Sequence, residues 1–135
     1  MREPEAAVTD THALLFHAAG GRQLGRRAHA IFGAAEDRTA IIYVPVAVIW
    51  EVALLARGVR ITLHRPVREF FADLFSNPSY QAHPLDAGQV FDATDMHALK
   101  DPFDAVICAA ARDLGLPLIS RDRLLASSRH VETIW

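Results

Sequence analysis

The chain has 135 residues, enough for one hydrophobic core and too few for two comfortable ones. Hydrophobic residues make up 51% and charged residues 22%, the balance of an ordinary globular protein. A net charge of −2, from 14 Lys+Arg against 16 Asp+Glu, excludes a protein that coats nucleic acid through bulk charge. Of the 14 basic residues, 13 are arginine, with Lys100 the single lysine. Arginine suits planar, bidentate phosphate contacts, and a GC-rich genome explains the same bias equally well. Cys108 is the only cysteine, which excludes an internal disulfide and fits a reducing, cytoplasmic compartment. "MREPEAAVTD" carries no apolar core of a signal peptide. The longest apolar run, "AIIYVPVAVIW", holds a proline and stops at Glu51, well short of the roughly 20 residues that span a bilayer.

In chain order, short apolar runs alternate with helical patterns. "AAVT" (6–9) reads as a strand. "THALLFHAAG" reads as a helix that Gly20 and Gly21 can end. "GRRAHAIFGAAEDR" places Ala28, Ile31, Phe32 and Ala35 at helical spacing. "AIIYVP" (40–45) is the clearest strand, β-branched and stopped by proline. "VAVIWEVALLARG" (46–58) returns to helix, with Gly58 suited to the left-handed residue after its end. "PVREFFADLFSNP" (66–78) is amphipathic, with the stripe Val67, Phe70, Phe71, Leu74 and Phe75. "SYQAHPL" reads as a short strand, and residues 86–99 as a weak helix. Phe103, Val106, Ile107, Ala110 and Leu114 then form one face of a helix that Gly115 stops. "LPLIS" (116–120) is a buried strand, "RDRLLASS" a brief helix, and "VETIW" a last strand. Short strands alternating with helices predict an α/β fold with a mostly parallel central sheet of about five strands, covered by helices on both faces.

In open parallel sheets, sites form outside the carboxyl ends of the strands. Asp10 follows the first strand, Asp122 follows "PLIS", and Asp104 lies in the first turn of a helix entering from the same side. Glu51 lies about one and a half turns into the helix after "AIIYVP". If the strands are parallel and adjacent, these four acids converge on one edge. Each has a structural alternative. Asp10 and Asp122 suit the N-caps of their helices. Asp101 with Pro102 is a cap followed by a favoured first helical residue, which assigns Asp101 to structure. Asp104 is then the third helical residue, where an acid suits the dipole and resembles a capping box.

Glu51 fits a structural role worst. It is the only charged residue between Arg38 and Arg57, and a lone buried carboxylate costs several kcal/mol or protonates. An arginine from elsewhere or a bound metal would relieve it, and the metal is the preferred reading. The seven histidines (12, 17, 29, 64, 83, 97 and 130) show no HExxH, and no Cys/His pairs stand at zinc spacing. A carboxylate-only cluster favours Mg²⁺ or Mn²⁺. His12 and His17 lie on the first helix, where packing is their commoner fate, and Cys108 reads as a small packed hydrophobe. No GxxxxGK[ST], GxGxxG or GxSxG is present, so nucleotide binding and hydrolase-elbow chemistry have no motif behind them.

"VTDTHALLF", "VIWEVALLARG" and "DPFDAVICAAARDLGLPLISRD", in this order and spacing, resemble the PIN domain, and more closely the VapC-type toxin ribonucleases of toxin–antitoxin pairs. The resemblance covers nearly the whole chain and implies one PIN-like domain over 1–135. It implies that Asp10, Glu51, Asp104 and Asp122 are the catalytic, metal-binding acids. It further implies one or two Mg²⁺ or Mn²⁺ ions, hydrolysis of RNA phosphodiester bonds, a small VapB-like antitoxin as partner and often a homodimer. Many relatives with "DPFD" continue with arginine, where this chain has Ala105; that departure bears on a substrate or partner contact. The fourth acid is the family's most variable, so Asp122 carries least weight. Arg22, Arg26, Arg27 and Arg121 are candidates for flanking phosphates. Two alternatives stand beside this reading. One is a non-catalytic PIN-like module that binds RNA or protein. The other is a receiver-type phosphoacceptor domain, which needs a phosphorylated Asp after the third strand and a lysine after the fifth; here the third strand leads to "AHPLD", and no lysine follows residue 100.

Overall fold

The structure, a computed structural model, describes residues 4–135. Its strands are β1 (Ala6–Thr9), β2 (Ile41–Pro45), β3 (Tyr80–His83), β4 (Leu118–Ile119) and β5 (Thr133–Ile134). They form one sheet in the order β3-β2-β1-β4-β5, and every neighbouring pair is parallel. The inner part of such a sheet is buried on both faces, which is why β1, β2 and β4 read as apolar runs, while the edge strand β3 leaves Gln81 and Ala82 exposed. Ala7, Val8, Ile42, Val44, Leu118, Ile119 and Ile134 are all buried.

Seven helices connect the strands among the described residues: α1 (Thr11–Ala18), α2 (Arg26–Glu36), α3 (Val46–Arg57), α4 (Val67–Phe75), α5 (Ala87–Thr94), α6 (Pro102–Leu114) and α7 (Arg123–Ser127). The chain travels one way from β1 through β2 to β3, then returns past β1 to β4 and β5. Right-handed crossovers therefore place the two sets of helices on opposite faces. Connecting helices run back against the strands they follow, so each helix starts near the carboxyl edge of the sheet. None of the described helices is long and apolar enough to cross a membrane.

The expected core positions hold in α2, where Ala28, Ile31, Phe32 and Ala35 are buried, and in α4, where Phe70 and Phe71 are buried. Gly20 and Gly21 follow α1 with positive φ. One local expectation is extended and another needs correction. The expected face of α6 does pack on the core, with Ile107 and Ala110 buried and Phe103, Val106 and Leu114 half-buried against it, but burial extends beyond that face to Ala105, Cys108, Ala109 and Ala111. The helix packs against α3, α5 and β1, and close approach on several sides is met by small side chains. Gly58 is not the left-handed residue after α3. It has φ −80°, and Val59 takes φ +59° instead.

Val59 closes a Schellman-type turn, with its own N–H donating to the Ala56 carbonyl and the Arg60 N–H donating to the Leu55 carbonyl. A β-branched residue there is strained by about 1–2 kcal/mol. Val59 is 86% exposed, so its side chain returns almost no packing. Val59→Gly should therefore raise stability by about 0.5–1 kcal/mol, the relief less the entropy of glycine. A urea midpoint that stays or falls would contradict this.

Candidate functional site

The carboxyl edge of the sheet gathers the acids. Asp10 is the residue after β1, the central strand. Its N–H donates to the Ile119 carbonyl of β4 (3.1 Å). Its Oδ1 accepts the Ala13 N–H (2.8 Å), capping α1. Asp122 lies beyond β4 and caps α7, accepting from Leu124 N–H (2.8 Å) and Leu125 N–H (3.3 Å). The N–H of Asp122 in turn donates to Ser120 Oγ (3.1 Å). Glu51 stands on α3, and its Oε1 accepts the Thr11 hydroxyl from the start of α1 (2.5 Å). Asp104 is in the first turn of α6.

The capping readings of Asp10 and Asp122 are realised, and each cap engages one oxygen, Oδ1, of a carboxylate that has two. Asp101 is the N-cap of α6, accepting from Phe103 N–H (2.8 Å), with Pro102 as first helical residue. Asp104 departs from its capping-box reading. Its side chain makes no hydrogen bond and has no ion-pair partner among the described residues.

The electrostatics follow. Burial, then the charges of Asp101, Asp122, Glu51 and Asp10, push the Asp104 carboxyl up to about 7. The Asp10 carboxyl is also raised, first by burial; the Ser120 hydroxyl, the Ala13 N–H and His12 oppose the shift, and Glu51 adds to it. Asp104 is thus close enough to feel the other three sequence-selected acids, and Asp10 to feel Glu51. Arg65 and Arg112 pair with Asp73 and Asp92, not with any of the four acids, and the one side-chain contact to Glu51 among the described hydrogen bonds comes from Thr11. Glu51 is also not fully buried.

Sequence reasoning missed Thr11 and Ser120. Both are buried, and both hold site groups, Thr11 on Glu51 and Ser120 on Asp10. The available signal was a hydroxyl residue next to a strand end, where a buried hydroxyl needs a partner. The two histidines of α1 divide. His12 is exposed and lies near enough to Asp10 to lower its pKa. His17 packs away from the acids, stacked on Phe32 (centroids 4.5 Å) with its Nε2 3.1 Å from Tyr80 Oη. Cys108 is buried, as its packing role requires, and burial raises its thiol to about 11. Among the candidate arginines, Arg121 lies with its guanidinium 4.8 Å over the Phe16 ring.

The donor set is all oxygen, which suits a hard divalent ion. Asp104, with no donor or cation beside it, is the group such an ion would relieve. Among the described residues no group of three or more His, Cys, Asp or Glu is already set to hold a metal ion.

Acids gathered at the carboxyl edge of a 3-2-1-4-5 parallel sheet define a class, and the chain belongs to the PIN domain family, whose model matches residues 7–129. The strand order also departs from the 2-1-3-4-5 arrangement of a receiver-type sheet. Among solved structures, the chain is similar to one from VapBC2 of Rickettsia felis bound to a DNA fragment from their promoter, with TM-score 0.70, 10% identity, and 96% of this chain and 98% of that chain covered. It is also similar to a chain of a toxin–antitoxin complex from Klebsiella pneumoniae, with TM-score 0.64, 19% identity and 96% of each chain covered. FitAcB from Neisseria gonorrhoeae gives TM-score 0.63, 17% identity and 96% of each chain covered. No curated protein matches the chain in sequence.

Proposed function

We propose that this chain is a VapC-like toxin, a cytoplasmic single-domain endoribonuclease that hydrolyses RNA phosphodiester bonds with Mg²⁺ or Mn²⁺ and is inhibited by a cognate VapB-like antitoxin. The observation that carries the reading is Asp104, half-buried with no donor to its side chain, its carboxyl raised first by burial and then by Asp101, Asp122, Glu51 and Asp10. A phosphodiester is an anion, and bare carboxylates would repel it. When bound, the ion supplies Lewis acidity that makes hydroxide available near neutral pH and offsets charge on the phosphate oxygens. Asp10, Glu51, Asp104 and Asp122 would hold it. The Thr11 hydroxyl fixes one oxygen of Glu51, and the Ala13 N–H fixes one of Asp10, so both carboxylates are oriented before any ion arrives. The antitoxin partner is supported by the company of the solved neighbours, which are toxin–antitoxin assemblies.

A second reading, a non-catalytic PIN-like module binding RNA or protein, is favoured by the lack of a preformed group of three ligands. One experiment separates the two. Purified protein should cleave single-stranded RNA in Mn²⁺ and stop in EDTA. RNA bound but intact in Mn²⁺ across a panel of sequences would select the second reading.

A further inference from the structure

Trp50 is 64% exposed, an unusual position for the largest apolar side chain. It precedes Glu51 on α3. Phe103 precedes Asp104 on α6. The two helices pack together, and the rings meet edge to face with centroids 5.8 Å apart at 81°. A T-shaped contact uses only one edge or face of each ring, so the indole keeps an aromatic surface open to solvent. The edge geometry is itself a fixed one, which holds the indole where it stands.

The site has a binding problem that this surface answers. Net charge is −2, and a polyanion gains nothing from clustered carboxylates before a metal is bound. Affinity for a nucleic acid strand can then be supplemented by contacts that do not depend on charge. Stacking of bases on aromatic faces is charge-independent and tolerant of sequence, and it requires bases free of a duplex.

We propose that Trp50, braced by Phe103, is a stacking platform for an unpaired base of the RNA substrate, positioning the adjoining phosphate at Glu51 and Asp104. The proposal rests on the ribonuclease reading for its substrate. Trp50 is a positioning residue: it holds a base and takes no part in bond breaking. The surface should therefore select single-stranded or looped RNA over duplex.

Three measurements test this. In Mn²⁺, Trp50→Ala should raise KM for a single-stranded RNA about tenfold with kcat nearly unchanged, the loss of one stacked base; Trp50→Phe should restore most of it. In a Trp135→Phe background Trp50 is the only tryptophan, and its emission should be quenched by a non-cleavable 2′-O-methyl oligonucleotide but not by a base-free strand of the same phosphates. Sedimentation should show the same oligomeric state for wild type and Trp50→Ala. An unchanged KM, or equal quenching by the base-free strand, would overturn the proposal. So would conversion of a dimer to a monomer without a KM effect, which would make the surface a contact with a second copy. Quenching needs no catalysis, so base-dependent quenching in a protein that cleaves nothing would keep the platform and reject the ribonuclease.

Discussion

Asp10→Asn and Asp104→Asn should each lower RNA cleavage by about 100- to 1000-fold, the several kcal/mol that a metal-held transition state supplies. Both variants should stay folded. Asparagine caps a helix as well as aspartate does, so the contact from Ala13 N–H to residue 10 survives, and the Asp104 side chain has no hydrogen bond to lose. Asp101→Asn is the matched comparison. Asp101 is three residues from Asp104 and carries the same charge, but its side chain caps α6 through Phe103 N–H, a contact asparagine reproduces. It should keep activity within about threefold, because it changes neither cap nor ligand. Steady-state cleavage in saturating Mn²⁺ reads all three. Wild-type rates in Asp104→Asn, or a loss in Asp101→Asn equal to that in Asp104→Asn, would show that the wrong acids had been assigned.

This contrast between neighbouring acids shows what a sequence can reveal. Position in the fold was legible, because apolar runs such as "IIYVP" and "PLI" mark parallel strands, and acids just beyond their ends share an edge. Pro102 marked Asp101 as a cap from the sequence alone. The role of Asp104 was only half legible. Its place in the first turn also suits a capping box, and only the direction of its side chain separates the two uses. Thr11 and Ser120 were not legible, since nothing in a single hydroxyl residue tells which of several carboxylates it will meet. The multi-sided burial of α6 escaped for a related reason. Alanines carry weak periodicity, and a helix lined with them declares no face until its neighbours α3 and α5 are placed. Val59 broke a local rule outright, taking a backbone conformation that Gly58 beside it would have adopted at no cost.

The acid cluster can also be tested without any RNA, by thermal melts. Ionised Asp104 is opposed by burial and by four neighbouring acids, so its carboxyl titrates near 7 in the folded chain against about 4 when unfolded. The folded state therefore binds more protons between these values. Its stabilising contribution is complete below about pH 4 and is lost as pH rises through about 7. Asp10 is raised in the same sense. In EDTA, wild-type protein should melt lower at pH 8 than at pH 6. Asp104→Asn should flatten that slope and melt about 3–5 °C above wild type at pH 8, roughly 1 kcal/mol after allowing for solvent screening at a half-buried group. Mn²⁺ should reverse the order. An ion that binds only the folded chain adds about 2.7 kcal/mol at a hundredfold excess over Kd, and the variant that lacks the ligand charge should gain little. A helix-end acid without a metal role behaves in the opposite way: its replacement removes a favourable contact with the dipole, lowers the melting point in EDTA and leaves any shift with Mn²⁺ unchanged. Melts of that kind would return Asp104 to a structural role and remove the observation on which the ribonuclease reading stands.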